Sequence, residues 1–205
     1  MRTHTVQRLY GSLAARYDER WSQYVEDSLA NVLAAIHVAP QERVLDIGCG
    51  TGQLLDRLLA REPTLRCIGV DLTPEMLTVA RSRLGDRVTL VEASGLALPL
   101  PDASVNLVVS TSALHYIDEP VAFFREARRV LPVGGRLVVS DWCADYLAMR
   151  ALGVVLRLGN RGHQDVLTLR ACCRAVEAAG FAVTATSRAR LRGWWGMMTV
   201  LATAR

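Results

Sequence analysis

Apolar residues follow two patterns along the chain, the spacing of helices and the short continuous runs of buried strands. Near the amino terminus they recur at helical spacing, which predicts helices from Val6 to Tyr17 and from Trp21 to Ile36. Between residues 43 and 140, short apolar runs alternate with helical stretches, as in parallel βαβ units. The predicted strands there are Arg43–Ile47, Arg66–Val70, Val88–Val91, Val105–Ser110 and Arg136–Ser140, and the predicted helices are Thr51–Glu62, Pro74–Leu84 and Pro120–Leu131. This alternation indicates an α/β fold.

The remainder of the chain has a different pattern. Residues 142–165 combine apolar positions with arginines, and we interpret this segment as a substrate lid with a helix from Tyr146 to Leu158. A helix that only packs on the core is the alternative. A further helix is predicted over Leu167–Ala179. Two final strands, Phe181–Ser187 and Met197–Ala204, can pair as a hairpin, so one strand of the sheet should be antiparallel.

The first predicted strand ends in three alternate glycines, after which the chain becomes helical. These are Gly48, Gly50 and Gly52, with Cys49 between the first two. Glycine reaches positive φ without steric cost and lets a ligand lie against the backbone. Three glycines at a strand end therefore predict a turn wrapped around a ligand.

Two acidic residues indicate the class of that ligand. Asp46 precedes the glycines, where it would repel a pyrophosphate but attract the amino group of an amino-acid moiety. The alternate glycines also differ from the G-x-G-x-x-G pattern of dinucleotide sites. Both features favour S-adenosylmethionine over a nicotinamide dinucleotide. Asp71 ends the second strand, where nucleotide sites place their ribose acceptor, although a helix-capping acid is the alternative.

These stretches resemble the class I S-adenosylmethionine-dependent methyltransferases, in particular the small bacterial branch similar to quinone-biosynthesis and phospholipid methyltransferases, with a methyltransferase type 11 domain. The segments that carry the resemblance are Val44–Gly52, Val70–Leu77, Glu92–Pro101, Leu114–Ile117 and Arg129–Leu137. The resemblance implies one domain over residues 1–205. Its fold would be a single Rossmann-like, doubly wound, seven-stranded sheet of order 3-2-1-4-5-7-6 with strand 7 antiparallel. Residues 1–38 would form an N-terminal helical cap over the cofactor.

The same resemblance implies the cofactor contacts. Glu92 would accept from the adenine amino group, and the N–H of Ala93 would meet a ring nitrogen. Leu72 and Leu96 would enclose the ring through apolar contact, with plain core packing as the alternative. The lid residues of the cap would be Tyr10, Tyr17 and Asp18, with ordinary helix packing as the alternative for the aromatic ones. The residues expected to bind S-adenosylmethionine, or its product S-adenosylhomocysteine, are Asp46, Gly48, Cys49, Gly50, Gly52, Asp71, Leu72, Met76, Glu92, Ala93, Ser110 and Tyr17.

His115 is the candidate catalytic residue. It ends the segment Ser110–His115, which follows the fourth strand at the carboxyl edge where open α/β sheets do their chemistry. It would contact the substrate or accept a proton, with packing as the alternative, and Asp141 and His163 are further candidate bases. Asn106 stands where the family often has an aspartate, so a salt bridge is not expected there. Methyl transfer itself depends mainly on alignment and on the exclusion of water.

Composition narrows the remaining possibilities. The 205 residues are 51% hydrophobic and 21% charged, which suits one folded domain. No apolar run is long enough for a transmembrane segment, and residues 1–10 lack the apolar core of a signal peptide, so we expect a cytoplasmic protein. The five cysteines show no CxxC spacing, and we expect neither disulfides nor a metal site.

The net charge is +4, and every basic residue is an arginine. These arginines are spread along the chain, so no nucleic-acid partner is expected. The local cluster of Arg188, Arg190 and Arg192 could still meet anionic lipid headgroups.

The sequence therefore predicts a methyltransferase, monomeric or homodimeric, that acts on a small or amphiphilic metabolite. Two alternatives stay open. The first is a non-catalytic S-adenosylmethionine-binding protein or partner subunit, which would bind the nucleotide without transferring its methyl group. The second is a nicotinamide-dependent oxidoreductase, which the glycine spacing disfavours.

Overall fold

The strands of the computed structural model form one seven-stranded sheet. The model describes residues 7, 11, 14, 16–158 and 166–205. The strands are β1 (Arg43–Ile47), β2 (Arg66–Asp71), β3 (Val88–Glu92), β4 (Leu107–Thr111), β5 (Arg136–Trp142), β6 (Phe181–Arg190) and β7 (Gly196–Ala204). Their order is β3-β2-β1-β4-β5-β7-β6, with β7 antiparallel to both neighbours and the other pairs parallel. The predicted sheet order and direction are confirmed.

Besides the helical residues 16–20, the described part of the chain contains six α-helices and two short 3₁₀ helices. They are α1 (Ser22–Ala35), α2 (Gln53–Arg61), α3 (Pro74–Leu84), α4 (Pro120–Val130), α5 (Leu147–Leu158) and α6 (Leu169–Ala178), with 3₁₀ helices at Gly85–Arg87 and Leu114–Tyr116. Prolines start α3 and α4. A backbone N–H at the first position of a helix has no intrahelical acceptor, so its absence in proline costs no hydrogen bond. Thr168 caps α6 by accepting from the N–H of Ala171 at 3.1 Å.

Several predicted boundaries differ from the observed ones. β5 continues through Trp142 because β7 pairs with it to that residue, opposite Met197. α4 ends at Val130 because Pro132 follows closely, and Gly134 turns the chain with φ 80°. Most of the helix predicted from Val6 to Tyr17 lies outside the described residues, which show helix at residues 16–20 and a turn at Trp21 before α1.

The two faces of the sheet bury separate apolar clusters. On β1, Leu45 and Ile47 pack with Phe123 of α4 in one cluster. Val44 packs on the opposite face with Leu58 of α2. The sheet is therefore covered on both sides, as expected of strands that read as continuous apolar runs.

The parallel strands β1 to β5 all end at the same edge of the sheet. This edge therefore gathers Gly48 after β1, Asp71 at the end of β2, Thr111 at the end of β4 and Trp142 at the end of β5. Open α/β sheets bind ligands at this carboxyl edge. Among the helices within residues 16–158 and 166–205, none has the length and apolar character needed to cross a bilayer.

Candidate active site

Three hydrogen bonds from backbone N–H groups fasten the glycine loop after β1 to the end of β2. The N–H groups of Gly48 and Cys49 both donate to the carbonyl of Val70, at 2.7 and 3.0 Å. The N–H of Gly50 donates to Oδ2 of Asp71 at 2.8 Å. The two sequence motifs that predicted a nucleotide site are therefore joined by direct hydrogen bonds.

Three glycines of this loop have φ between 53° and 79°, but each is small for a different reason. A Cβ on Gly48 would lie 2.6 Å from Cβ of Ala113, so this glycine allows the loop after β4 to approach. A Cβ on Gly52 would lie 2.6 Å from Leu84, so this one allows α3 to pack beside α2. A Cβ on Gly50 would meet nothing within 4 Å, because it would point into open space. Of the three, Gly50 is the one whose Cβ direction is left open.

Asp71 is held by backbone donors on both sides. Besides Gly50, the N–H of Thr73 donates to its Oδ1 at 2.9 Å. Burial raises the pKa of Asp71, and these hydrogen bonds act in the opposite direction because they favour the carboxylate. Each oxygen has a second lone pair that can accept another hydrogen bond.

A cavity of about 200 Å³ opens above this edge of the sheet. Eight residues expected from the sequence line it, namely Tyr17, Gly48, Gly50, Asp71, Leu72, Met76, Ala93 and Leu96. The sequence reasoning did not single out Thr111, Ser112 and Tyr116, which also line it. Thr111 and Ser112 come from the segment Ser110–His115, which was expected at the carboxyl edge, and Tyr116 follows it directly. Ser112 has a left-handed φ of 54° that no sequence pattern announces.

A second cavity of about 70 Å³ adjoins the first, sharing Tyr17, Gly48, Gly50 and Ser112 with it. It is also lined by Cys49 and by Asp46, the acid that the sequence placed beside an amino group. The two cavities together contain most of the predicted cofactor contacts.

Asp46 is a buried carboxyl group that is not fully paired. It is 1% exposed, and its Oδ1 has no hydrogen-bond partner among the residues that the structure describes. Burial, and next the negative charge of Asp71, raise the pKa of Asp46 to about 8. A buried carboxyl without a partner is costly when ionised, so the site is suited to a cationic group.

The described end of the cap is fastened to the glycine loop through Asp18. Oδ1 of Asp18 accepts from the hydroxyl of Thr51 at 2.7 Å and from the side-chain amide of Gln53 at 2.9 Å. Arg83 of α3 donates to the other oxygen. The contact sets Tyr17 over both cavities, where burial raises its pKa to about 12. Tyr10, the other expected lid residue, lies outside the described residues.

Three of the expected cofactor contacts have groups in other interactions, and Glu92 lies outside both cavities. Gly52 lines neither cavity and packs against α3. The N–H of Ala93 donates to the carbonyl of Asp71 at 3.1 Å, because β3 continues its pairing with β2, so this N–H is not directed at a ring nitrogen. Glu92 is exposed and lines neither cavity. The hydroxyl of fully buried Ser110 donates to the carbonyl of Ile47 at 2.8 Å, tying β4 to β1.

His115, the last residue of the segment Ser110–His115, is buried and lines neither cavity. Its Nδ1 lies 2.6 Å from Oδ1 of Asp141, and the other oxygen of Asp141 accepts from the N–H of Leu114 at 2.7 Å. The imidazole stacks on Trp142 with ring centres 3.9 Å apart and also contacts Tyr116, which does line the larger cavity. Asp141 therefore fixes the orientation of the imidazole. The other candidate base, His163, lies outside the described residues.

Tyr24 of α1 lines the smaller cavity and joins α1 to the end of β5. Its hydroxyl lies 2.6 Å from Oγ of Ser112 and accepts from the indole N–H of Trp142 at 2.9 Å. Its ring lies 5.1 Å from that of Trp195 in the β6–β7 loop. Three segments distant in sequence thus meet in one aromatic wall.

Comparison with known proteins agrees with this geometry. A methyltransferase-domain family model matches residues 45–139. A malonyl-[acyl-carrier protein] O-methyltransferase from Hahella chejuensis is 35% identical over 136 residues, which are 66% of this chain and 48% of the relative. A demethylmenaquinone methyltransferase from Deinococcus radiodurans is 33% identical over 160 residues, 75% of this chain and 66% of the relative. The chain thus spans about half to two thirds of the length of these curated relatives.

Solved structures show the same fold. A chain in the complex between the Haloferax volcanii Trm112 methyltransferase activator and a methyltransferase matches with a TM-score of 0.83 at 20% identity, covering 95% of this chain and 97% of that chain. The sheet order, the glycine loop joined to Asp71 and the matched family model together identify the family. The chain belongs to the class I S-adenosylmethionine-dependent methyltransferases.

Proposed function

We propose that this protein transfers a methyl group from S-adenosylmethionine to a small, amphiphilic metabolite. The observation that carries the proposal is the buried carboxyl of Asp46, whose Oδ1 lacks a described partner, at the inner end of a cavity that Gly50 leaves open. A cationic amino group would supply the missing partner, and the adjoining open volume would take the rest of the cofactor.

The other lining residues fit the remaining parts of S-adenosylmethionine. Asp71 keeps lone pairs for two ribose hydroxyls beyond its bonds to Gly50 and Thr73. Leu72 and Leu96 supply apolar surface suited to a purine ring. The adenine contact expected of Glu92 stays a prediction.

The protein's part in the reaction is alignment and exclusion of water. When bound, S-adenosylmethionine supplies a methyl group that its sulfonium already activates. Asp18 fastens the cap to Thr51 and Gln53, and this contact keeps Tyr17 over the cavities. A closed site of this kind holds the reacting groups in line and keeps water out.

The aromatic wall supports an acceptor with an apolar body. Tyr24 lines the smaller cavity and bonds Ser112, and behind it lie Trp142 and Trp195, which line neither cavity. The tyrosine hydroxyl and the indole N–H of Trp142 are already bonded to one another. The relatives named above act on a malonyl group carried by a protein and on demethylmenaquinone, which agrees with an acceptor that pairs a polar end with an apolar body.

The catalytic role expected of His115 stays a prediction. Its contacts support a positioning role, because the Asp141–His115 pair holds an imidazole against Tyr116, and Tyr116 is the side chain that reaches the cavity.

Other expectations from the sequence also stay predictions. They are the cytoplasmic location, the monomeric or homodimeric state, a single domain over residues 1–205 and a lid over residues 142–165. Residues 159–165 of that segment lie outside the described residues.

Isothermal titration with S-adenosylhomocysteine tests the cofactor site. We expect the purified protein to bind it and Asp71→Ala to weaken binding by about 1.5–3 kcal/mol, the scale of a lost hydrogen bond to a charged group. Asp86→Ala is the matched control, because Asp86 is an exposed acid on the 3₁₀ helix after α3. Equal affinities in both variants would remove the ribose assignment.

A second experiment separates an enzyme from a non-catalytic binding protein. The protein is incubated with methyl-labelled S-adenosylmethionine and a set of quinols, lipids and acyl thioesters, and label in the extracted products is measured by mass spectrometry. Label in one class of amphiphile supports the proposal. Tight binding of S-adenosylhomocysteine without label in any class would favour the binding protein.

A further inference from the structure

Helix α5 is apolar on two sides, and its packing explains only one of them. Met149 is fully buried against Trp142 and Met197, with Leu152 and Leu156 packed beside it. On another face, Leu147, Val154 and Val155 are 80%, 46% and 63% exposed, and Ala151 between them is exposed as well. Positions 147, 151, 154 and 155 form one stripe at helical spacing. Exposed apolar stripes of this kind mark interaction surfaces.

The loop between β6 and β7 exposes a tryptophan next to this helix. Trp194 is 46% exposed and stacks on Trp195 with ring centres 4.5 Å apart. The loop and the helix belong to the same apolar cluster, since Leu191 and Trp195 pack with Leu152. Tryptophan is the residue most typical of a boundary between apolar and aqueous surroundings.

Arginines border these apolar residues. Arg150, Arg188, Arg190 and Arg192 are all exposed. Arg188 pairs with Asp145 at 3.3 Å and Arg190 lies over the ring of Tyr146, directly before α5 begins. Arg192 lies 3.7 Å from Asp27 of α1 and keeps most of its side chain exposed. Together with the apolar stripe and Trp194, these four arginines form what we call the α5–hairpin face.

Positive charge is concentrated in the two segments that form this face. Residues 145–150 and 188–192, which carry the four arginines of this face, contain four arginines and one aspartate, a net charge of +3. The whole chain carries +4, so all its other residues together carry +1. Most of the net positive charge of the chain therefore belongs to this face.

We infer that the α5–hairpin face docks on the surface of an anionic lipid bilayer. Exposed aliphatic residues and a tryptophan would enter the headgroup region, and the arginines around them would meet lipid phosphates. A second copy of this chain fits less well, because two faces with a net charge of +3 would repel each other.

Docking here would bring the bilayer close to the acceptor side of the site. Trp194 stacks on Trp195, Trp195 contacts Tyr24, and the hydroxyl of Tyr24 bonds Ser112 at the rim of the cavities. An amphiphilic acceptor could therefore be taken from the membrane. This benefit rests on the proposed function. The docking itself does not rest on it, because binding to vesicles is measured without cofactor or acceptor.

Vesicle co-sedimentation of the full chain tests the inference. We expect binding to vesicles of phosphatidylcholine with phosphatidylglycerol, weaker binding to phosphatidylcholine alone, and loss of binding at high salt. Arg188→Gln with Arg192→Gln should lower the partition coefficient about fivefold for each arginine. Leu147→Glu with Val155→Glu should abolish binding, because charge would replace the inserted residues.

Two control variants lie at the opposite edge of the sheet. Arg43→Gln with Arg66→Gln removes two exposed arginines from the first residues of β1 and β2, and Val133→Glu alters a valine that is 79% exposed in the turn before β5. Both should bind vesicles like the original chain, and all variants should bind S-adenosylhomocysteine equally.

Three outcomes would overturn the inference. The first is equal binding to both kinds of vesicle, or to neither, by the original chain. The second is an equal loss of binding in the face variants and the controls. The third is a dimer in sedimentation velocity that Leu147→Glu with Val155→Glu dissociates, since a second copy would then occupy the face. Loss of S-adenosylhomocysteine binding alone would instead count against the proposed function.

Discussion

The two halves of the site are built in different ways. The cofactor half consists of a backbone loop and short acids at the ends of adjacent strands, and Gly50 donates directly to Asp71. The acceptor half consists of large aromatic side chains from α1, β5 and the β6–β7 loop, with Tyr24 bonded to Trp142. The first is held by main-chain hydrogen bonds, and the second by packing and side-chain hydrogen bonds.

This difference explains which changes each half can tolerate. A loop that is held by backbone hydrogen bonds fixes the position of the ligand beside it. A single methyl group added to such a loop can therefore occupy the ligand's volume. A wall of aromatic side chains can change its shape by substitution at one position while the sheet beneath it stays intact. We therefore expect large effects of substitutions in the cofactor half and graded effects in the acceptor half.

The largest effect should come from Gly50→Val. Gly50 has φ 53° and its Cβ direction points into open space, so valine would be strained and would fill the ligand's volume. We expect the affinity for S-adenosylhomocysteine, measured by isothermal titration, to fall by about 100-fold or more, roughly 2.7 kcal/mol.

Gly134→Val separates backbone strain from loss of the ligand volume. Gly134 has φ 80° and also faces open space, but it lies in the turn before β5, at the other edge of the sheet. This control should lower the melting temperature and leave binding unchanged. If both variants lost binding alike, strain would be the cause and the loop would have no special relation to the ligand.

The cofactor half was predictable from sequence because its parts are close along the chain or lie at recognisable strand ends. Val44 to Gly52 is one continuous stretch, and Asp71 ends the next strand. The differences from the expected contacts are local. Ser110 is structural while Ser112 lines the cavities, because β4 runs one residue further than predicted and Ser112 then takes a left-handed φ. The N–H of Ala93 is used by the sheet because the pairing of β3 continues past its predicted end.

The acceptor half was not predictable in this way because tertiary packing assembles it. Tyr24 and Met197 contact each other although they are 173 positions apart. Helical spacing placed Tyr24 on an apolar face of α1 and gave no sign that its hydroxyl reaches Ser112. Such contacts depend on how the cap lies on the sheet, which a local pattern does not specify.

The pH dependence of cofactor binding gives the next largest effect, and it tests Asp46. The pKa of Asp46 is about 8 in the folded chain, against about 3.9 for an unfolded aspartate. At neutral pH the folded carboxyl is therefore largely protonated, and binding a cationic amino group requires its ionised form. The affinity for S-adenosylhomocysteine should rise from pH 6 to pH 8, approaching about tenfold per unit at the acid end. Asp46→Asn should flatten this profile.

The same group makes a prediction for stability. The folded state holds a proton on Asp46 that the unfolded state has released between about pH 4 and pH 8, so the contribution of Asp46 to the free energy of unfolding falls as the pH rises through this window. Asp46→Asn should therefore raise the melting temperature more at pH 8 than at pH 5, measured by calorimetry without ligand. The same difference at both pH values would mean that the folded carboxyl is already ionised at pH 5.

The smallest effect should come from Tyr24→Phe, and it would sharpen the contrast between the halves. The substitution keeps the ring between Trp195 and Trp21 but removes the hydroxyl that bonds Ser112 and accepts from Trp142. A lost hydrogen bond of this kind is worth about 1 kcal/mol, so kcat/KM for the acceptor should fall roughly fivefold. The affinity for S-adenosylhomocysteine should fall by less than this, because Tyr24 lines the smaller cavity but Asp46 and Asp71 keep their own contacts. Tyr146→Phe removes a hydroxyl from the same aromatic cluster, where the ring of Tyr146 meets Arg190, and should leave kcat/KM unchanged. If Tyr24→Phe weakened both ligands equally, the aromatic wall would belong to the cofactor half as well, and the division of the site into two halves would be wrong.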